Sequence, residues 1–381
     1  RLTLHEVGHT LGLNHNFKGS YLHDIESVHK PEITSKVGVT ASVMEYPAIN
    51  LAPIGVEQGD YYDTIPGPYD IWAIKYGYTP DLNESDLIEI ISEQHKPEHM
   101  FANDSEDMRS PGRGIDPRAM INDLTNDPIT YATQRIDLVN HSQENIVSKL
   151  SSTAESFEEY RLAHRIFIRE YSRSLEVISR HIGGVYIERF DPQNKSSKKP
   201  YMPAPSNEQR RAMEALNKYA FSVEAFPINP ELLQMVQVER RMFDLREEHE
   251  DPQMHKIILS IQNRVLDHLL SPWTLYRISD TQLYGNDYSV NEMLNDLTKS
   301  IFTGDIDNSV SSIRRNLQTS YVRRLFSILG QDYYDELATA AVYSSLRDVQ
   351  KIVRKSSNDP ATKSHRKLIS WIIESGLDRA N

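Results

Sequence analysis

Eleven residues near the start constrain this chain more than any others. They are His5-Glu6-Val7-Gly8-His9-Thr10-Leu11-Gly12-Leu13-Asn14-His15, and they read H-E-x-x-H-x-x-G-x-x-H. On an α-helix His5 and His9 stand one turn apart, about 6 Å along the axis, and project from one face. Two imidazoles so placed can reach one zinc ion at roughly 2.0–2.1 Å. Glu6, beside the first of them, is placed to hold a water at such a metal and to take its proton. Gly12 adopts a left-handed backbone at little cost, so it can end the helix and turn the chain. His15 then returns as a third ligand. Three protein ligands leave a fourth position open, the arrangement of a catalytic rather than a structural zinc. The spacing predicts a Zn2+ site on His5, His9 and His15, with Glu6 as general base and Gly12 as the bend.

Some thirty residues on stands Ser42-Val43-Met44-Glu45-Tyr46-Pro47. With the histidine pattern, this stretch resembles the metzincin zinc endopeptidases, which follow the long histidine motif with a tight turn carrying methionine. The resemblance implies that Met44 forms an apolar floor under the zinc ligands. It also implies that Tyr46 is directed at the metal and the substrate's developing oxyanion, as in astacins. A looser likeness lies in Gly67-Pro68-Tyr69-Asp70-Ile71-Trp72-Ala73-Ile74-Lys75-Tyr76-Gly77-Tyr78, similar to the helix that closes a metzincin catalytic domain. There Ile71, Ile74 and Tyr78 fall at helical spacing, so one face is expected to pack beneath the site. Asn16 follows the third histidine where the better-known subfamilies carry other residues. Together with the long helical remainder, that departure points to the large bacterial Met-zincin group. The motif-bearing resemblance covers about residues 1–80.

The resemblance implies a peptide or protein substrate and a periplasmic, cell-surface or secreted setting. It also implies an upper subdomain before the active-site helix. Because Arg1 lies only four residues before His5, the chain is expected to be the C-terminal part of a longer enzyme, and largely inactive alone. The 381 residues leave room for two or three domains. A net charge of −12 argues against a nucleic-acid backbone as main partner. No apolar run is long enough to span a membrane. Cysteine is absent, which excludes disulfides and thiol chemistry without deciding the compartment.

Along the chain, helix is expected over residues 1–11, irregular structure over 12–66 and the closing helix over 69–77. The loop after Tyr46 would, by family analogy, wall the pocket beyond the scissile bond. Past Tyr78-Thr79-Pro80 the pattern becomes helices opened by a capping residue and proline: Asp127-Pro128, Asn229-Pro230, Asp251-Pro252, Ser271-Pro272 and Asp359-Pro360. Their apolar stripes need a mutual core, and the last of them reads Leu368, Trp371 and Ile372. Gly183 to Ile187 is the best short strand, and Asn194 to Pro205 reads as a solvated linker. The fold class expected is therefore mainly α. Residues 1–79 form the lower half of a metzincin catalytic domain and 80–381 a multi-helix C-terminal domain, with a lobe boundary near 191–206.

Other signals read as ordinary structure. His95-Lys96-Pro97-Glu98-His99 spells H-x-x-E-H, but Pro97 would break the helix that both histidines must share. His23 and His29 read as loop histidines. The basic pairs Arg210-Arg211, Arg240-Arg241, Arg314-Arg315 and Arg323-Arg324, interspersed with acids such as Asp244, Glu247 and Glu248, read as solvated faces. Trp72, Trp273 and Trp371 are expected to anchor the core. The alternative to a peptidase is a helical binding or structural module with an inactive or structural zinc site.

Overall fold

The computed structural model of the chain describes residues 1–106, 111–189, 199–238 and 251–380. Among these the protein is mainly helical, with one two-stranded sheet. Two compact units emerge: Arg1–Leu138 with Gly184–Ala204, and Val139–Gly183 with Pro205–Asn381. This division differs from the boundary expected at 79/80. Ala102, Leu124 and Tyr131 are buried in the first unit, so it runs on well past the closing helix.

In the first unit, α1 (Leu2–Thr10) carries the first two histidines. The chain to residue 67 is irregular apart from short 3-10 turns and α2 (Pro31–Val37). Proline opens α2, and Gly38, at φ +89°, ends it. A core of Val28, Val39, Leu124 and Tyr131 holds these loops together. Next come α3 (Pro68–Tyr78) and α4 (Glu84–Ser92). Asn83 caps α4 by accepting from Ser85 N and Asp86 N, while Asp86 accepts in return from Asn83 N.

The stripe expected on α3 does not pack: Ile71 and Tyr78 face solvent. What fastens this helix to the methionine turn is polar. Buried Asp70 accepts from Gly67 N at 2.9 Å, Val43 N at 2.8 Å and Ser42 Oγ at 2.6 Å. One carboxylate thus caps α3 and pins the methionine turn to it. Gly67 is obligatory at that junction, because a Cβ there would fall on the Ala41 carbonyl.

The hairpin of β1 (Val185–Ile187) and β2 (Tyr201–Pro203) pairs antiparallel, with Tyr186 opposite Met202. It joins the first unit through Val185 N to Ile115 O and Ile187 N to Asp116 Oδ2. Beside it lies a buried ion network: Lys18 to Asp116 at 2.9 Å, Arg118 to Asp116 at 2.9 Å and Arg118 to Glu188 at 2.9 Å. Burial alone would raise the Asp116 carboxyl, but the Arg118 hydrogen bond and the Lys18 and Arg118 charges outweigh it and bring it down to about 2.

The second unit takes the latter part of α5 (Pro128–Leu150), then α6 (Phe157–Ser179), α7 (Ser206–Leu216) with a single π turn after it, and α8 (Pro230–Met235). It continues with α9 (Met254–Leu269), α10 (Pro272–Thr281), α11 (Val290–Phe302), α12 (Ser312–Leu329), α13 (Glu336–Val353) and α14 (Pro360–Ala380). Helix α12 is central, packing against α9, α13 and α14. Four of the five proline openings begin a helix, and the side chains of Asp127, Asn229 and Asp359 accept from amides of the first turn. The fifth does not, since α9 starts two residues beyond Pro252.

Three further expectations need correcting. The buried face of α14 carries Thr362, His365, Arg366, Ile369 and Ile373, while Leu368 and Trp371 are exposed. Three of those five residues are polar, so hydropathy points to the neighbouring face. Trp273 is likewise exposed, which leaves Trp72 as the one partly buried tryptophan. Arg314 is no solvated residue: it is buried on an ion pair with buried Asp305. Arg240, Arg241, Asp244, Glu247, Glu248 and the linker stretch 190–198 lie outside the described residues.

Candidate metal centre

Helix α1 presents His5 and His9 one turn apart, their rings edge-on with centroids 4.8 Å apart. At Gly12, φ +86°, the chain turns, and Leu13 N bonds back to Gly8 O. The bend brings His15 round to 5.4 Å from His5 and 4.9 Å from His9, centroid to centroid. One nitrogen from each ring lies within 4.8 Å of the others, the one such His/Cys/Asp/Glu cluster among the described residues. His23, His29, His95 and His99 take no part in it. His23 bonds Gly38 O, and His99 stacks on Trp72.

Each of the three rings is oriented through Nδ1. His5 Nδ1 bonds Val43 O at 2.8 Å, His9 Nδ1 bonds Leu13 O at 3.0 Å, and His15 Nδ1 bonds Asp104 Oδ2 at 2.7 Å. Carbonyl and carboxylate oxygens only accept, so each Nδ1 carries the hydrogen and each Nε2 keeps its lone pair. His5 Nε2 is buried with no hydrogen-bond partner, a situation that a metal ligand resolves. Burial, opposed by the Val43 carbonyl and reinforced by His9 and His15, holds His5 below its ordinary pKa and keeps it neutral. The donor set and its second layer therefore fit zinc.

Met44 is fully buried, and a Cβ on Gly8 would fall on its Sδ, so its side chain lies directly against α1 between the two histidine turns. Tyr46 stacks near His5 and His15 at 5.1 and 4.8 Å, and its hydroxyl donates to His15 Nε2 at 3.1 Å. Glu6 is exposed on α1 with no hydrogen-bond or ion-pair partner among the described residues. Glu45, between Met44 and Tyr46, is wholly buried. Desolvation and nearby Asp123 push its carboxyl well above the usual carboxylate range, against the Tyr46 and Ser20 amides that bond it.

Two residues of the site escape sequence reasoning. Asp104 is one acid among several in an acidic stretch 89 positions from His15, and nothing local marks it. Asn16, fully buried, accepts from Ala102 N, donates to Met100 O and bonds Met44 O through its own N–H. Its only signal is that it stands where related subfamilies carry something else.

Three convergent imidazoles on an H-E-x-x-H-x-x-G-x-x-H frame, over a buried methionine, form a histidine triad able to hold a metal ion. The family model described as Met-zincin matches residues 1–309, and the chain belongs to that family. No curated protein and no solved structure matches the chain.

Proposed function

We propose that this chain carries the centre of a zinc-dependent endopeptidase that hydrolyses peptide bonds. The observation that carries the reading is the cluster of three imidazoles, one nitrogen of each within 4.8 Å of the others and each ring held through Nδ1. An ion on His15 Nε2 would take the place of the Tyr46 hydroxyl that bonds it here. His5, His9 and His15 would hold the ion. Bound zinc supplies Lewis acidity and lowers the pKa of a coordinated water toward neutrality. Glu6, unpartnered and beside His5, accepts the proton of the attacking water and returns it to the departing amine. The Tyr46 hydroxyl donates a hydrogen bond to the carbonyl oxygen as that oxygen gains negative charge. Met44 gives the ligands an apolar floor.

The test is metal-dependent cleavage of a peptide library by the full protein. Chelation should abolish cleavage and added zinc restore it, with His5→Ala losing both metal and activity. Zinc bound without cleavage of any peptide would favour a structural site in a helical binding module. Asp104→Asn is expected to weaken zinc binding about 10–100-fold, because the carboxylate orients His15 and raises its basicity. Competition with a chromophoric chelator measures this, and an affinity equal to the parent's would remove Asp104 from the site.

A further inference from the structure

A cavity of about 260 Å³ lies within the first unit, walled by Tyr69 and Trp72 of α3, by Gln94, His99 and Phe101, and by Lys18 with the end of β1. At about 30 Å³ of liquid volume per water, it has room for roughly eight waters or one large side chain. None of residues 47–66, expected to wall a substrate pocket, lines it.

One wall consists of two stacked ring pairs: Tyr69 on Phe101 at 5.6 Å and 10°, and Trp72 on His99 at 4.7 Å and 14°. Three polar groups on that side have no hydrogen-bond partner among the described residues. They are the Tyr69 hydroxyl, the Gln94 amide and His99 Nε2, whose ring bonds Glu93 O through Nδ1. On the opposite side the charges are already matched, Lys18 on Asp116, Arg118 on Glu188 and Arg189 on Glu106. An entering ion would have to break one of these pairs, two of which are buried. An uncharged planar group instead meets flat apolar faces and unused donors and acceptors.

No residue of the histidine cluster lines the cavity, but three short links tie its walls to that cluster. Phe101 lies three residues before Asp104, the partner of His15, and extended chain covers about 10 Å in that interval. Tyr69 precedes Asp70, which pins the methionine turn. Asn16, next to the third histidine, bonds the backbone on both sides of Phe101.

We propose that this cavity is a side-chain pocket for the substrate polypeptide, taking an uncharged aromatic residue with a hydrogen-bonding tip, tyrosine foremost. Its role in selecting the cut rests on the peptidase reading, whereas its occupancy is measurable without any chemistry. Trp72 reports on the cavity, and the exposed Trp273 and Trp371 can be replaced by phenylalanine to isolate its emission. In that Trp273→Phe, Trp371→Phe protein, N-acetyl-tyrosinamide should shift the Trp72 emission saturably. The phenylalanine amide should bind about five-fold more weakly for want of one hydrogen bond, and the glutamate amide should not saturate. Adding Tyr69→Phe and Gln94→Leu, which leaves only His99 Nε2 of the three unused groups, should narrow the gap between the tyrosine and phenylalanine amides while both ring stacks remain. No saturable response to the tyrosine amide, or an equal response to the glutamate amide, overturns the proposal.

Library digestion by the full protein forms the second arm. Cleavage enriched for tyrosine at one fixed position, and less enriched over phenylalanine in the Tyr69→Phe, Gln94→Leu variant, is the expected result. Cleavage with no aromatic preference at any position overturns the pocket and leaves the peptidase reading standing. Amide binding with no cleavage of any peptide supports the pocket and overturns the peptidase reading.

Discussion

On the proposed peptidase reading, Glu6→Gln is expected to lower peptide hydrolysis by about 10²–10⁴-fold while zinc content stays at the parent's level. The substitution keeps the shape of the side chain and removes its basicity, so the proton of the attacking water has no acceptor. Glu6 is exposed and unpartnered among the described residues, so its loss should change stability by no more than about 0.5 kcal/mol. Reduced activity therefore cannot be ascribed to unfolding. Steady-state kcat/KM on a quenched fluorescent peptide, with metal analysis and a urea titration of the same sample, measures all three quantities. A variant that cleaves at the parent's rate with zinc bound would end the assignment of Glu6 as general base.

The second large effect is on stability and lies far from the histidines in sequence. Arg314 is buried with Nε on Asp305 Oδ2 at 2.5 Å, Nη2 on Ile301 O at 2.6 Å and Nη1 on Phe221 O. Gln318 reinforces the arrangement by donating to Ile301 O at 2.9 Å. His365 in turn donates to Gln318 Oε1; burial and the Arg315 charge outweigh Asp305 and push the imidazole down to about 4, so it stays neutral. Arg314→Met leaves the Asp305 carboxylate buried without its cation and takes the guanidinium from the Phe221 carbonyl, for an expected loss of about 3–5 kcal/mol. Replacing both partners with apolar residues should cost less than either single change. Urea unfolding followed by far-UV circular dichroism distinguishes these cases, with exposed Arg323→Ala as a control near zero. A loss under 1 kcal/mol for Arg314→Met would show that the pair does not hold α12 in place.

These residues also show what could be read from sequence and what could not. The spacing of His5, His9 and His15 is legible because helical periodicity and one glycine bend fix where those side chains go. The paired Asp–Pro and Asn–Pro openings of α5, α8 and α14 are legible for the same local reason. Long-range polar contacts leave no such trace. Asp104 resembles any surface acid until the fold brings it to His15. Arg314 and Arg315 are adjacent and chemically alike, yet only Arg314 is buried against Asp305. On α14 the core face includes Thr362, His365 and Arg366, so the more apolar face with Leu368 and Trp371 misleads. On α3, likewise, the Asp70 carboxylate and the ring stacks of Tyr69 and Trp72, rather than the stripe of Ile71, Ile74 and Tyr78, make the attachment. Where burial is achieved by matched hydrogen bonds, hydropathy cannot report it.

The first unit is discontinuous, and this bears on its synthesis. A ribosome delivers the histidine segment well before Glu188, the backbone of Ile187 and the rest of the hairpin, which emerge only after residues 139–183 have been made. Until then Arg118 lacks its Glu188 partner, Lys18 lacks one of its acceptors, and Asp116 has no Ile187 amide to receive. The unit that carries the histidine cluster therefore cannot mature strictly from N- to C-terminus, and a chain ended after Leu138 would be a nascent unit whose final fastenings were never translated.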